Sequence, residues 1–299
     1  MSYKILFPDS LHFHSKNFAS LMKLLTSKDY DAIYIKDNNE LKARYGNYSD
    51  LEALFLNQLD LLQGLDKKAL FEYKYFGMRL LPLIQAELLS FLMPQDGWID
   101  HSIGSDECDI FEKAYAENKN DLLLNMAVSI FWLDFWKEKI REIKNIKACC
   151  IFSGSLIYEK TLSGLLQNTP IRVFVLEHFY TGNEYYFEEK YDHIANNSDI
   201  RFKNIFNKLK LDFDDFDASR KQSEEIKAIN KLKLKKNKNV KQPNASDTKV
   251  FTDSSHVVLI VGQVINDFSI LETKQSNINS LQSYLEMIKA IINETNFNI

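Results

Sequence analysis

The stretch KACCIFSGSLIYEKTLSGLLQNTPIRVFVLEHFY (residues 147–180) decides the fold. It begins with an apolar run that ends in Ser-Gly-Ser at 153–155, continues with a helical pattern at 158–167, and closes with a second apolar run at 171–180. Strand, helix and strand at this spacing predict a βαβ unit with parallel strands. Loops at the carboxyl ends of such strands bind ligands in open α/β sheets, so we expect functional residues there.

The N-terminus repeats this order. An apolar run at 3–7 is followed by Pro8, Asp9 and Ser10, then by a helical pattern at 17–25 and a second β-rich run at 30–36. The pattern predicts a second βαβ unit. Together the two units predict an α/β fold with a Rossmann-like N-terminal domain.

Between residues 50 and 146 the pattern is mostly helical, which predicts a large helical insertion. The main helical stretches cover 50–65, 69–92 and 121–143, and Pro82 is expected at a kink or a boundary. The apolar segment 122–139 is interrupted by Asn125 and Asp134 and is too short to span a bilayer. We therefore expect a buried or interfacial helix there.

The last third of the chain predicts a linker and the start of a second domain. Residues 220–254 are rich in Lys and Asn and predict a linker or loop, either a solvated charge run or a surface that faces phosphate or lipid. An apolar run then enters a polar loop within 257–270, and apolar residues at helical spacing predict a helix at 277–293.

This pattern predicts three parts. Residues 1–219 form the N-terminal domain, 220–254 form the linker, and 255–299 begin a C-terminal domain. One strand and one helix cannot bury a core alone, so we expect that second domain to be incomplete at Ile299.

Composition narrows the class of protein. The net charge of −4 gives no overall attraction to nucleic acid, so no nucleic-acid partner is expected. The three cysteines have neither metal-site nor disulfide spacing, and the N-terminus lacks a secretory signal pattern. These features favour a cytoplasmic protein, and peripheral contact with the inner membrane stays open as an alternative.

Two strand ends carry candidate chemistry. Glu177 and His178 follow one apolar run and enter a polar loop that contains Asn183, while Asp267 lies in a polar loop after another apolar run. Carboxylates placed in this way across a cleft suit an acid/base and a nucleophile. The alternatives are that Glu177 is a turn or salt-bridge residue and that Asp267 is a helix cap.

Other chemistries have less support. His12 and His14 form an H-x-H pair without the further ligands that a metal site needs, so no metal is expected. The P-loop, dinucleotide-binding and nucleophile-elbow motifs do not occur in the sequence. Ser153 lies in a turn that suits a phosphate, although small residues in a βα turn need no ligand to explain them.

The segments RVFVLEHFYTGNEYYFEEKYDHIANNS (172–198) and VLIVGQVINDFSI (258–270) together resemble the retaining β-Kdo transferases of capsule and O-antigen (lipopolysaccharide) biosynthesis. The resemblance covers residues 147–299 well and the N-terminal half only in general layout. It implies a GT-B-like fold, in which two Rossmann-like domains face each other across a cleft, with residues 1–219 on the acceptor side and 255–299 at the start of the domain that binds the CMP-sugar. It also implies CMP-Kdo as the donor substrate, with no cofactor and no metal in the chemical step.

The resemblance places the family's nucleophile on Asp267 and its acid/base on Glu177. Gln263 and Ser269 would shape the nucleophile loop. His178, Asn183 and Ser153 complete the substrate-binding residues that we predict. The family's next strand leads to a His-Pro motif that holds the CMP phosphate, and this sequence ends at Ile299 before such a motif.

The sequence therefore predicts transfer of Kdo from CMP-Kdo to a glycan or lipid-linked glycan acceptor, with retention of configuration. Partners at the inner membrane or in a polysaccharide-assembly complex are also expected. The alternative is a non-catalytic subunit that binds glycan or assembles partner enzymes. The missing donor-binding half favours this alternative, and the intact loop of Gln263, Asp267 and Ser269 favours the enzyme.

Overall fold

The computed structural model describes residues 2–98, 106–178, 185–195, 197–214, 222–223, 225–230, 257–258, 260, 264–272 and 281–294. These residues form an α/β structure with a five-stranded mixed sheet, which is consistent with a Rossmann-like fold. Its strands are β1 (Tyr3–Phe7), β2 (Tyr30–Tyr34), β5 (Ile146–Phe152), β6 (Arg172–His178) and β7 (Tyr185–Glu189). Their order across the sheet is β2-β1-β5-β6-β7. The first four strands are mutually parallel, and β7 runs antiparallel to β6.

The helices in chain order are α1 (Ser15–Ser27), α2 (Asn39–Lys42), α3 (Leu56–Gln63), α4 (Lys67–Phe71), α5 (Leu80–Leu92), α6 (Glu107–Glu117), α7 (Lys119–Glu142), α8 (Ile157–Leu166), α9 (Lys203–Asp214), α10 (Phe268–Leu271) and α11 (Leu281–Glu294). Short 3₁₀ helices cover Ser49–Leu54 and Asp199–Arg201. The two predicted βαβ units are confirmed as β1-α1-β2 and β5-α8-β6.

Helices cover both faces of the sheet. Side chains alternate between faces along each strand, so Ile5 and Phe7 pack on one side with α1, while Leu6 packs on the other with the helices of the insertion. The same alternation separates Cys150 from Cys149 on β5. Burial on both faces is typical of parallel strands.

The insertion is helical, as predicted, but the stretch 69–92 is not one helix. It contains a hairpin of β3 (Lys74–Tyr75) and β4 (Met78–Arg79). Phe76 and Gly77 form its two-residue turn with φ values of 47° and 80°, a geometry that matches the twist of paired strands. The predicted boundary is confirmed, because α5 begins two residues before Pro82.

Strand β7 was not expected, since we predicted a polar loop after β6. In this strand the apolar side chain is exposed and the charged one is buried: Phe187 is 56% exposed, whereas Glu188 is 8% exposed. Glu188 is buried because it accepts hydrogen bonds from the Ser198 hydroxyl and the Asp199 backbone N–H, both at 2.6 Å. The usual pattern of buried apolar and exposed polar residues therefore does not identify this strand from the sequence.

Residues 222–223 and 225–230 are helical, which corrects the expectation of a loop at the start of 220–254; residues 231–256 lie outside the described ranges. Helix α11 confirms the predicted helix at 277–293 over its described part. The division into two domains stays a prediction. Helix α7 is largely buried, as expected, and none of the helices in the described ranges is long and apolar enough to cross a membrane.

Candidate functional site

The parallel strands β1, β5 and β6 end side by side, and we call the region around their last residues the carboxyl edge. The loop after β1 carries Asp9 and His12, the turn after β5 carries Ser153, and β6 itself ends in Glu177 and His178. The strands are adjacent and parallel, so their last residues lie at the same edge of the sheet. Glu177, His178 and Ser153, three of the residues predicted for the site, therefore lie at one edge of the sheet.

Glu177 at this edge has a strongly raised pKa. Burial raises the pKa of its carboxyl group from 4.5 to about 7. The charge of His12 and hydrogen bonds from the His178 backbone N–H and the Ser153 hydroxyl act in the opposite direction. The negative charge of Asp267 raises the pKa further, so the two predicted carboxylates lie close enough to repel each other.

Asp9 is fully buried and holds the loop that presents His12. It accepts hydrogen bonds from the backbone N–H groups of Leu11 and His12, at 2.8 and 2.9 Å, and from the Tyr158 hydroxyl at 2.9 Å. Burial raises the pKa of Asp9, but the hydrogen bonds and charge of His12 outweigh this effect and leave it lowered. The His12 Nδ1 lies 3.4 Å from the Asp9 carboxylate. Its ring stacks on Phe152, with 4.4 Å between ring centroids.

Two neighbouring carboxyl groups beneath the edge behave differently from Asp9. Glu87 accepts hydrogen bonds from the Ile157 backbone N–H and the Tyr48 hydroxyl, at 2.6 and 2.7 Å. Burial raises the pKa of Glu87, and it raises that of the fully buried Glu159 well above its usual value. The fold therefore favours their neutral forms, while Asp9 stays ionised beside His12.

The backbone conformation of the turn after β5 restricts which residues can occupy it. Ser153 and Gly154 have φ values of 58° and 82°. A Cβ atom at Gly154 would lie 3.0 Å from the His193 Cα, so a larger residue does not fit. Ser153 donates its backbone N–H to the Leu176 carbonyl at 2.8 Å and accepts from the Ile194 N–H at 3.1 Å. These contacts account for the conformation of the turn, so no ligand is needed to explain it. The Ser153 hydroxyl is hydrogen-bonded to Glu177.

Residues 264–272 dock onto the same domain. The Ser90 hydroxyl donates to the Asn266 carbonyl, and the Asn266 side-chain amide donates to the Ser90 carbonyl, both at 3.2 Å. Ile270 and Leu271 are 3% and 6% exposed within the main core. This segment is therefore attached to the N-terminal domain by both polar and apolar contacts.

Buried ion pairs strengthen the docking. Glu272 lies 2.8 Å from the His193 Nδ1 and 2.8 Å from the Lys160 ammonium group. Burial opposes the charged form of His193, but hydrogen bonds to Asp192 and Glu272 outweigh it and raise the His193 pKa. Burial also opposes ionisation of Glu272, and the charge of Lys160 with the His193 hydrogen bond and charge lower its pKa overall.

Asp267 lies at the start of the docked helix α10. Its side chain accepts the Ser269 backbone N–H at 2.8 Å, so it caps this short helix, as the alternative interpretation proposed. One oxygen of the carboxylate accepts this bond, and the charge of Asp267 is the smallest of the effects that act on the Glu177 pKa. Capping and a role at the site are compatible.

The structure brings Glu177, His178 and Ser153 together at the ends of β5 and β6, and Asp267 is near enough for its charge to act on the Glu177 pKa. Ser269 is next to them in the docked segment, through its bond to Asp267. Gln263 and Asn183 lie outside the described residues. Their predicted roles in substrate binding stay predictions.

Sequence reasoning missed His12, Asp9 and His193 as members of the site. His12 was considered only as a metal ligand, although its loop follows a parallel strand. The rule that had located Glu177, that loops follow strand ends at one edge, also applies to this loop. No sequence signal pairs His193 with Glu272, because 78 residues separate them and the contact depends on docking of 264–272.

Comparison of the chain with protein-family models, with curated proteins and with solved structures found no match. Within the part of the chain that the structure describes, no group of three or more His, Cys, Asp or Glu residues is arranged to hold a metal ion. The basis for assigning a function is therefore the geometry and electrostatics of the carboxyl edge.

Proposed function

We propose that the protein is a retaining glycosyltransferase that transfers Kdo from CMP-Kdo to a glycan acceptor. The observation that carries the proposal is the carboxylate pair at the carboxyl edge, where Glu177 has a pKa of about 7 and senses the charge of Asp267. A group that titrates near neutral pH suits general acid/base catalysis. The resemblance of residues 147–299 to β-Kdo transferases supplies the donor and the GT-B-like arrangement.

The proposed reaction has two displacements. An oxygen of Asp267 attacks the anomeric carbon of the donor, the bond from that carbon to the CMP phosphate breaks, and CMP leaves with the electron pair. An acceptor hydroxyl then attacks the same carbon and releases Asp267, while its proton passes to Glu177. Two inversions give net retention, as in the double displacement of retaining glycosidases.

The environment of Glu177 supports its role as the base. Its raised pKa makes it a stronger base than an exposed glutamate, and about half of the molecules are ionised at neutral pH. The Ser153 hydroxyl and the His178 N–H donate hydrogen bonds that hold the carboxylate in place.

The test compares Asp267→Asn and Glu177→Gln with the parent chain and with the exposed control Asp60→Asn on α3. Incubation with CMP-Kdo is followed by mass spectrometry of peptides and by transfer to a glycan acceptor. The parent is expected to gain one Kdo mass on the peptide that contains Asp267. Asp267→Asn abolishes both signals, and Glu177→Gln slows transfer by roughly 10²–10⁴-fold while the adduct accumulates.

Turnover by Asp267→Asn at the parent rate would contradict the nucleophile assignment. The alternative is a non-catalytic subunit that binds glycan. It is favoured if neither adduct nor transfer is seen while calorimetry detects binding of acceptor glycan. In that case Glu177→Gln is expected to change affinity without any effect on CMP release.

A further inference from the structure

Tyr45 occupies a backbone position that disfavours a bulky side chain. The Asn47 backbone N–H donates to the Arg44 carbonyl at 3.1 Å and closes a tight turn. The central residues of this turn, Tyr45 and Gly46, have φ values of 48° and 86°. Asn followed by Gly suits such a turn, whereas a large side chain at positive φ is an outlier. Outliers of this kind cluster at active sites and ligand clamps, so a tyrosine here indicates a role beyond the turn itself.

The turn is fixed to the helical insertion through Gly46. Its N–H donates to the Glu87 carboxylate at 2.9 Å, and its carbonyl accepts from the Asn125 side-chain amide at 3.0 Å. A Cβ atom on Gly46 would lie 2.2 Å from the Glu87 carbonyl oxygen, so only glycine fits. The Glu87 carboxylate also accepts the Ile157 N–H at the start of α8, just after the turn that follows β5. The turn therefore lies beside the carboxyl edge.

The Tyr45 side chain is accessible and close to the docked segment. Its ring centroid lies 6.3 Å from that of Phe268, the first residue of α10, with the ring planes tilted by 42°. Tyr45 is 44% exposed, so a ligand can reach it. Burial raises the pKa of Tyr45, and the nearby carboxyl groups of Glu159, Glu87 and Asp9 raise it further. The hydroxyl group therefore keeps its proton at neutral pH and can donate a hydrogen bond.

The surroundings of Tyr45 favour a neutral cyclic ligand over a phosphate. The ionised Asp9 would repel a phosphate beside the ring. The neighbouring Arg44 already pairs with Glu40 and Asp50. A pyranose sugar has one face of C–H groups, which packs on an aromatic ring, and its hydroxyl groups can bond to the tyrosine hydroxyl.

We propose that Tyr45 is a binding residue for the glycan acceptor and stacks on the C–H face of one of its pyranose rings. The inference rests on the proposed function, because that function supplies the glycan acceptor. Phe268 directly follows Asp267 in the chain, so a sugar on Tyr45 lies near the proposed nucleophile. An acceptor must be there when its hydroxyl attacks the donor carbon. Sugar binding also accounts for a tyrosine where the turn prefers asparagine.

Saturation-transfer NMR titration of the full chain, without donor, tests the proposal. The probes are the methyl glycosides of glucose, galactose, mannose and N-acetylglucosamine, with the open-chain polyol mannitol as the control ligand. The parent should bind at least one pyranoside, with transfer strongest to the C–H protons of one face, and should not bind mannitol. Tyr45→Asn should raise the dissociation constant about fivefold or more, because the stacking ring is lost. Tyr45→Phe keeps the ring and should have a smaller effect.

The matched control is Phe76→Asn. Phe76 also has a positive φ, 47°, is also followed by a glycine at 80°, and is 42% exposed. Its hairpin packs through Met78 against Gly164 near the end of α8, which runs away from the carboxyl edge. Phe76→Asn should therefore bind pyranosides like the parent.

The proposal is overturned if the parent binds none of the pyranosides, if it binds mannitol as tightly, or if Tyr45→Asn binds like the parent. Asparagine suits the turn, so Tyr45→Asn should unfold at the same temperature as the parent or higher. Lower stability, or loss of hydrogen-exchange protection at the Ile270 amide, would show that the ring serves packing and would also overturn the proposal. The Kdo adduct on Asp267 needs no glycan and this titration needs no donor, so the two proposals fail separately.

Discussion

The two carboxylates of the candidate site are held in different ways. Glu177 belongs to β6, which is hydrogen-bonded on one side to β5 and on the other to β7. Asp267 belongs to a segment whose four-residue helix α10 is attached by the Ser90–Asn266 bonds, two buried apolar side chains and the ion pairs of Glu272. One group is part of the sheet, and the other is docked upon it.

Because of this difference, the site depends on the equilibrium between the docked and undocked states of residues 264–272. Undocking of 264–272 breaks few contacts compared with unfolding of the sheet, and regions with few contacts open at lower free energy. Undocking would remove Asp267 from Glu177 and leave the rest of the carboxyl edge intact. The predictions below separate the two regions, beginning with the largest effect.

Leu271→Asp is expected to undock the segment without unfolding the sheet. Leu271 is 6% exposed, and a carboxylate in its place costs about 3 kcal/mol or more, from lost burial and desolvation. Hydrogen exchange should show loss of protection at the Ile270 and Leu271 amides, which bond to the Asp267 carbonyl. Amides of β1, β5 and β6 should keep theirs.

The matched control is Leu285→Asp on α11, where the leucine is 42% exposed. It should leave the protection of 264–272 unchanged. If Leu271→Asp unfolds sheet and segment together, the two regions form one cooperative unit and the distinction between them is wrong.

Glu177→Gln is expected to stabilise the fold at alkaline pH. The folded pKa of about 7 lies above the usual 4.5, so the stability that Glu177 contributes is present below pH 4.5 and is lost as pH rises through 7. Gln stays neutral and avoids this loss, which amounts to about 3.4 kcal/mol at most.

Urea unfolding at pH 5 and pH 8.5 measures this effect. The variant should gain on the parent only at the higher pH. Glu189→Gln is the control, because that exposed glutamate on β7 pairs with Arg172 away from the carboxyl edge. Equal stability of the parent and Glu177→Gln at pH 8.5 would mean that Glu177 is solvated and that its pKa is not raised.

Docking of 264–272 should depend on pH through His193 and Glu272. The Glu272 pKa is lowered, so its contribution is present above about pH 4.5 and is lost as pH falls through the folded pKa. The His193 pKa is raised, so its contribution is present below about pH 6.5 and is lost as pH rises through the folded pKa. Docking should be tightest between these limits.

Hydrogen exchange at the Ile270 amide measures the pH range in which docking is tight, once the exchange rates are corrected for the pH dependence of intrinsic exchange. Glu272→Gln should weaken docking by about 1.5–3 kcal/mol and flatten the pH dependence, since a hydrogen bond to a charged group contributes about that much. Protection that stays constant in the parent from pH 4 to pH 9 would exclude the ion pair as an anchor.

Much of the fold follows from local pattern. The two βαβ units were predictable because apolar runs such as 147–152 alternate with a helical pattern, and the chemistry of each turn marks its ends. The hairpin at Phe76–Gly77 was not, because its turn lacks the usual Asn-Gly and its strands are two residues long. Strand β7 was hidden by the buried Glu188 and the exposed Phe187.

The site was predictable to the extent that it follows strand ends. Glu177 and Ser153 were found because they end adjacent parallel strands. The pairings Ser90–Asn266 and His193–Glu272 join residues far apart in the chain, and single-sequence periodicity carries no information on such contacts. The docked position of Asp267 therefore came only from the structure.

The pKa of Glu177, followed by carbon-13 NMR of its side-chain carboxyl in three proteins, tests the central claim that docking brings Asp267 to Glu177. The parent should titrate near 7. Asp267→Asn keeps the helix cap and should lower the value, because a negative charge is removed. His12→Phe keeps a ring on Phe152 and should raise it, because the lowering effect of His12 on the Glu177 pKa is removed. Opposite shifts in the two variants are the predicted result. A Glu177 pKa that is unchanged by Asp267→Asn would contradict the account.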